Sequence, residues 1–305
     1  MNQTKLSKMK KLICSAIFAA FCLSAMAQTP VNLKLNLENG KVYKIKNNNK
    51  QNMQISVSGQ QIAMEVNTRA TYSCKVLQQA NDVIDFEFQF DSISAKTSSV
   101  MGTQETNSAK PGNTSQEKIM SKLCAYKLIA KISTAGKFIG FVNYGQYKDN
   151  VMFVLDSIPA SQRDDARIVA DALLKESVLR SMVEPMFAYL PEKAVKVSDT
   201  WETTYFNISS ISSMVLLNTY TLKSVDNQQA IVSGTTEMES MPMKEPAAMS
   251  LENLKGTSTS ESSIDLKTGL IVKSTQKGHS EGVMKANEQE MSLKMDFQSE
   301  ISMSF

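Results

Sequence analysis

The chain contains one histidine, His279, within Lys277-Gly278-His279-Ser280-Glu281-Gly282. A hydrolase triad needs that imidazole beside a serine and a carboxylate, and no Gly-x-Ser-x-Gly turn supplies the serine. Glycines on both sides make His279 read as a solvated residue at a strand end. Any metal site built on two histidines of one chain is excluded. Cys74 and Cys124 lack a histidine partner for nucleophilic work, and both read as strand residues. They remain candidates for a disulfide if the chain is exported, against two separate buried thiols. The 30 acidic residues allow many carboxylate pairs for acid–base chemistry, but nothing in their spacing selects one. No phosphate-binding glycine loop, CxxC pair, EF-hand series or HExxH is present. The expectation is a non-enzymatic protein without a cofactor.

Methionine is the unusual residue, with 19 in the chain. Met238, Met241 and Met243 cluster in Met-Glu-Ser-Met-Pro-Met. Thioether sulfur is a soft ligand suited to Cu(I), so these three are candidate copper ligands. The alternatives are that methionine replaces leucine on apolar strand faces, as Met291, Met295 and Met303 suggest, or that residues 238–249 form an adaptable loop over an apolar pocket.

The elements that must position such residues are mostly strands. Leu33, Leu35 and Leu37 alternate with polar residues, as do Met53–Val57, Ile62–Val66, Tyr72–Val76 and Ile84–Phe90. Turn signals separate these runs, and one polar face with short connections describes antiparallel strands. Residues 95–116 read as a long polar loop. From 145 the spacing becomes helical, over 146–158 and 162–188, with Pro159 between the stretches and Ser161 as a cap. Strands resume at 200–208, 213–224, 228–239, 255–266, 269–278 and 289–304. The two β blocks resemble each other. Thr71–Val76 matches Thr219–Ser224, the turn at Gly136 matches that at Gly269, and Asn39-Gly40 before Tyr43 matches Ser198-Asp199 before Trp201. A duplication and a chance likeness of amphipathic strands both remain open.

Residues 1–27 read as a secretory signal peptide. Four lysines precede an apolar run from Leu12 to Leu23, and Ala25-Met26-Ala27 places cleavage between Ala27 and Gln28. The run is too short to span a bilayer comfortably. The remaining residues carry 29 basic and 30 acidic side chains. That balance gives no basis for nucleic-acid binding, and no transmembrane helix is expected beyond residue 27.

Three stretches carry a family resemblance: Glu38–Tyr43, Glu105–Gly112 and Leu190–Trp201. With the leader they resemble an uncharacterised family of exported proteins from Bacteroidetes-type bacteria. Ser198 stands where such families have glycine. The resemblance implies a periplasmic or surface location and assigns no activity.

The expected architecture is therefore α+β and β-dominated. Large curved antiparallel sheets in two β-rich halves, 28–144 and 191–305, flank a helical segment at 145–190. The second half could form one domain with the first. A sheet only partly covered by helices leaves an apolar concavity for a lipid or other hydrophobic ligand. The competing reading is an envelope interaction module with a filled core and a protein partner.

Overall fold

The computed structural model describes residues 29–57, 59–110, 114–209, 211–226, 228–242, 249–286 and 289–304. The expected signal peptide and its cleavage point at Ala27 and Gln28 lie outside these residues, as does Met243.

The first half holds β1 (Val42–Val57), β2 (Gln60–Ala80), β3 (Val83–Ser99), β4 (Gly102–Asn107), β5 (Leu128–Ser133) and β6 (Phe138–Phe141). Helix α1 (Ser115–Ala125) interrupts it. Helices α2 (Tyr144–Met152), α3 (Ala160–Leu173) and α4 (Glu176–Val183) follow. The second half is β7 (Thr200–Ile208), β8 (Ser213–Val225), β9 (Gln229–Ser240), β10 (Met249–Asp265), β11 (Ile271–Ala286) and β12 (Gln289–Ser304).

All twelve strands belong to one open antiparallel sheet, in the order β6-β5-β3-β2-β1-β12-β11-β10-β9-β8-β7, with β4 paired to β3. The chain starts at the centre and winds outward to one edge. The helical segment then carries it to the other edge, and it winds back to the centre. The β1–β12 ladder, from Lys44↔Ser304 to Ser56↔Ser292, joins the two halves into one surface. The β-dominated α+β reading holds.

Several local expectations are corrected. Leu33, Leu35 and Leu37 alternate but form no strand. They lie in an extended strap, all buried, held by Val31 bridging Val195, Leu35 N–H to Thr134 O and Asn36 N–H to Thr268 O. Those two carbonyls belong to the turns carrying Gly136 and Gly269, so the strap ties together the two matched hairpins. Strand β1 runs without interruption through the polar residues 46–52. The described residues of 95–116 are not one loop. They contain the end of β3, its hairpin with β4 and the start of α1, whose Thr114–Glu117 capping box occupies two free N–H groups. The 162–188 stretch divides into α3, α4 and a 3-10 turn at Glu184–Met186. Helix α3 begins after Pro159 with no side-chain cap, so Ser161 does not serve as one.

The likeness between halves has a structural counterpart at a shifted register. Gly40 N–H bonds Val76 O and Val76 N–H bonds Lys41 O; Ser198 N–H bonds Leu222 O and Leu222 N–H bonds Asp199 O. Val76 therefore corresponds to Leu222, two residues from the sequence pairing. Gly40 and Ser198 share the left-handed conformation, at φ 81° and 76°. That region costs a β-carbon about 1 kcal/mol. Ser198→Gly is expected to raise stability by about 0.5–1 kcal/mol. The check is a higher urea midpoint at unchanged slope; an unchanged or lower midpoint contradicts it.

Candidate functional site

Side chains alternate across a strand, so each strand gives one set to each face of the sheet. The outer face is charged. Lys50 pairs with Glu65 at 2.7 Å, Lys255 with Glu239 at 3.4 Å, and Lys285 with both Glu252 at 2.8 Å and Glu290 at 3.1 Å. Exposed pairs like these contribute little to stability. Their meaning is positional, because this face meets water. The inner face falls into three zones along the strand direction.

The first zone is a filled core. Tyr43, Ile45, Tyr72, Cys74, Phe86, Phe88 and Phe90 pack beneath Leu33, Leu35, Val183, Phe187, Tyr189 and Leu190. Tyr189 donates its hydroxyl to Gly269 O at 2.7 Å, and Trp201 donates its indole N–H to Tyr189 O at 2.9 Å. Arg180 makes a two-point contact with the buried Glu184 carboxylate, at 2.8 and 2.9 Å, and lies 5.2 Å from the Phe138 ring centre. A second apolar cluster, built largely from α1–α3, packs beside it around Tyr147 and Val151.

The second zone is a polar belt crossing the strands. On β1 it is Asn47, Asn49 and Gln51, half-buried where Tyr43 and Ile45 precede and Ile55 follows. Register continues it from Asn49 through Thr68 of β2, Ser299 of β12 and Gln276 of β11, and one inward position along it passes to Ser258 of β10, Thr236 of β9 and Asn218 of β8. Much of the belt bonds internally. Ser299 Oγ meets Asn47 Oδ1 at 3.3 Å, Gln276 Nε2 donates to Ser258 Oγ at 2.8 Å, and Thr236 Oγ1 donates to Asn218 Oδ1 at 2.8 Å. Two buried oxygens on this face have no partner, Asn49 Oδ1 and Ser280 Oγ.

The third zone is apolar and rich in methionine. Ile55, Leu254 and Leu293 are buried, with Met53, Val57, Met64, Met214, Leu251, Met284 and Met291 half-buried around them. Every member lies on a strand. The described helices make their main sheet contacts on β3, β4, β5 and β7, and none of them contributes a side chain to this cluster. The cluster closes partly because the sheet bends. Opposed β-carbons in an antiparallel pair normally stand about 4.5–5.5 Å apart. A β-carbon on Gly278 would lie 2.5 Å from that of Ser258 and 2.6 Å from Phe297 Cζ. Glycine lets β10 and β11 curl inward here, with the Phe297 ring over the gap. At this same end of the sheet, the β3–β4 hairpin tip exposes Val100 at 82% and Met101 at 85%.

The residues singled out from sequence do not meet. His279 sits in the middle of β11, opposite Asp296 and Thr257, exposed on the outer face, so it is not at a strand end. Cys74 lies on β2 and Cys124 on α1, so Cys124 is not a strand residue. Both thiols are free and no disulfide joins them. Burial pushes both thiols up, which holds them in the protonated, unreactive form. Burial likewise pushes Tyr72 up to about 12. Met238 is 8% exposed on the inner face between Leu216 and Gly256, while Met241 lies past the end of β9. The methionines that gather are others. Among the described residues no three of His, Cys, Asp and Glu are placed to hold a metal, and no helix is long and apolar enough to cross a membrane.

The chain belongs to a family of unknown function, DUF6263, whose profile matches residues 81–271. No curated protein matches it significantly. Among solved structures it is similar to a chain described under "lipid-protein interactions in lipovitellin", with 9% identity and a TM-score of 0.52. That alignment covers 88% of this chain and 26% of the other, and the likeness is one of fold. An outer membrane channel from Pseudomonas putida F1 aligns at a TM-score of 0.27 and 8% identity, over 89% of this chain and 98% of that one. The Pseudomonas aeruginosa channel OprD aligns at 0.25 and 4% identity, over 91% and 100%. These two are too distant to carry an argument. The residues themselves oppose a barrel wall in a bilayer, which carries its apolar band outside and polar groups within. The charged outer face here is the reverse.

Gly278→Ala places a methyl against Ser258, Thr257 O and Phe297. It is expected to cost about 1–3 kcal/mol, as overpacking does. The check is thermal or urea unfolding, and an unchanged midpoint would mean the strands do not approach this closely.

Proposed function

We propose that the protein is an exported, non-catalytic binder of a lipid or other hydrophobic ligand, held on the inner face of the sheet's open end. The observation that carries the reading is the methionine-rich zone. It is apolar and half-exposed, and none of the described helices contributes a side chain to it. Exposed apolar patches of this kind mark binding sites more often than they mark idle surface. Flexible methionine suits chains of varying shape. Export is supported by the character of residues 1–27. The lipovitellin chain shows that a related fold occurs in a protein studied for its lipid interactions, and the chemistry here is argued from the zone itself.

The test is native mass spectrometry of protein purified from its own source, with lipid extraction of the same sample. The expected result is an apolar species in fixed stoichiometry. Met64→Glu puts a charge into the zone and is expected to reduce that occupancy at least tenfold, while the circular dichroism spectrum stays unchanged. A clean ligand-free mass for the wild-type protein contradicts the proposal and favours the interaction module with a protein partner.

A further inference from the structure

Resting on the lipid-binding reading, we infer that the ligand is an amphiphile with one uncharged, hydrogen-bond-donating head, seated on the polar belt at Asn49 with its tail along the methionine-rich zone. The belt fixes the polarity of the head. It crosses the inner face between two apolar zones, and its side chains are Asn, Gln, Ser and Thr, with no charged group among them. A charged head buried there would lack a counter-ion, which is strongly unfavourable.

The hydrogen bonds fix the direction of donation. Neighbouring belt groups satisfy one another, but Asn49 Oδ1 is buried with no donor to meet it. An amide oxygen only accepts, so the missing partner must donate. Asn49 lies opposite Ser299 and Thr68, at the centre of the sheet. Ser280, 2% exposed and also unpartnered at Oγ, lies nearer the apolar zone, opposite Met295 and Gly256. Its hydroxyl can donate to an ester or amide oxygen where head meets tail.

The spacing fits one acyl chain. Asn49 precedes Met53 by four residues and Ile55 by six along β1. At about 3.3 Å per residue the separation is roughly 13–20 Å. One leaflet of a bilayer core is about 15 Å deep. A hydrocarbon or a triacylglycerol would cover the apolar zone equally well but leave Asn49 without its donor.

The experiment uses the full chain, stripped of lipid, and three probes with the same oleoyl tail. They are 1-oleoylglycerol, the same compound with both hydroxyls methylated, and trioleoylglycerol. The expected order places 1-oleoylglycerol about tenfold tighter than its dimethyl ether, with trioleoylglycerol no better than the ether. Asn49→Leu is expected to abolish the preference for free hydroxyls without lowering the melting temperature, since it removes an unpartnered buried group. Equal binding of the three probes to wild type overturns the inference and leaves lipid binding standing. So does a hydroxyl preference that survives in Asn49→Leu. Binding of none of them overturns the lipid reading beneath it. The ether comparison needs no variant, so it decides the question even if Asn49→Leu folds poorly.

Discussion

Two segments close one end of the concave face, the strap at 31–37 and the stretch from Val183 to Val197. Their contacts hold the curve of the sheet. Leu33 and Leu35 are 1% exposed, and Phe187 and Leu190 are nearly as deep. The fit is tight enough that a methyl on Gly269 would strike Lys34 O, and one on Gly136 would strike Phe187 O. Tyr189 and Trp201 add directed hydrogen bonds across the same junction. This packing joins the turns of both halves, so the edge strands cannot splay while it holds. The interior it creates is asymmetric. Among the described residues, one end is covered by apolar side chains, and the other is a half-exposed surface of methionine, leucine and isoleucine.

The topology explains why that asymmetry arises. The chain leaves one edge at β6 and re-enters at β7, and everything between must travel across the gap. Helices supply this crossing, and they pack on one another and on β3, β4, β5 and β7. They are short, and α3 and α4 are separated by only two residues, Leu174 and Lys175. On the far side, no described helix lies between consecutive strands to supply a hydrophobic face over the sheet. Burial there depends on the sheet curling over itself, which the glycines of β10 and β11 permit.

Much of this architecture was legible in the sequence. Strands at 200–208 and 289–304 match to the residue, because strict alternation over a long run has few competing readings. The misreadings share a cause. Residues 95–116 read as one loop because they are rich in polar and turn-forming types, and only the assembled sheet shows β4 pairing with the end of β3. Leu33–Leu37 has the period of a strand without a ladder, since alternation reports two-sided burial and not hydrogen bonding. The candidate site was missed for a similar reason. Met53, Met64, Met214, Met284 and Met291 are scattered over five strands, while Met238, Met241 and Met243 drew attention by being adjacent. The one available signal was the excess of methionine at inward positions of several strands.

The central claim is that the far end of the concave face is open to an apolar chain. The most direct measurement is a methionine-methyl NMR spectrum recorded while a spin-labelled acyl chain is added. The account predicts selective broadening of Met53, Met64, Met284 and Met291, with Met182 and Met186 in the covered core left sharp. Uniform broadening, or none at saturating probe, would contradict it.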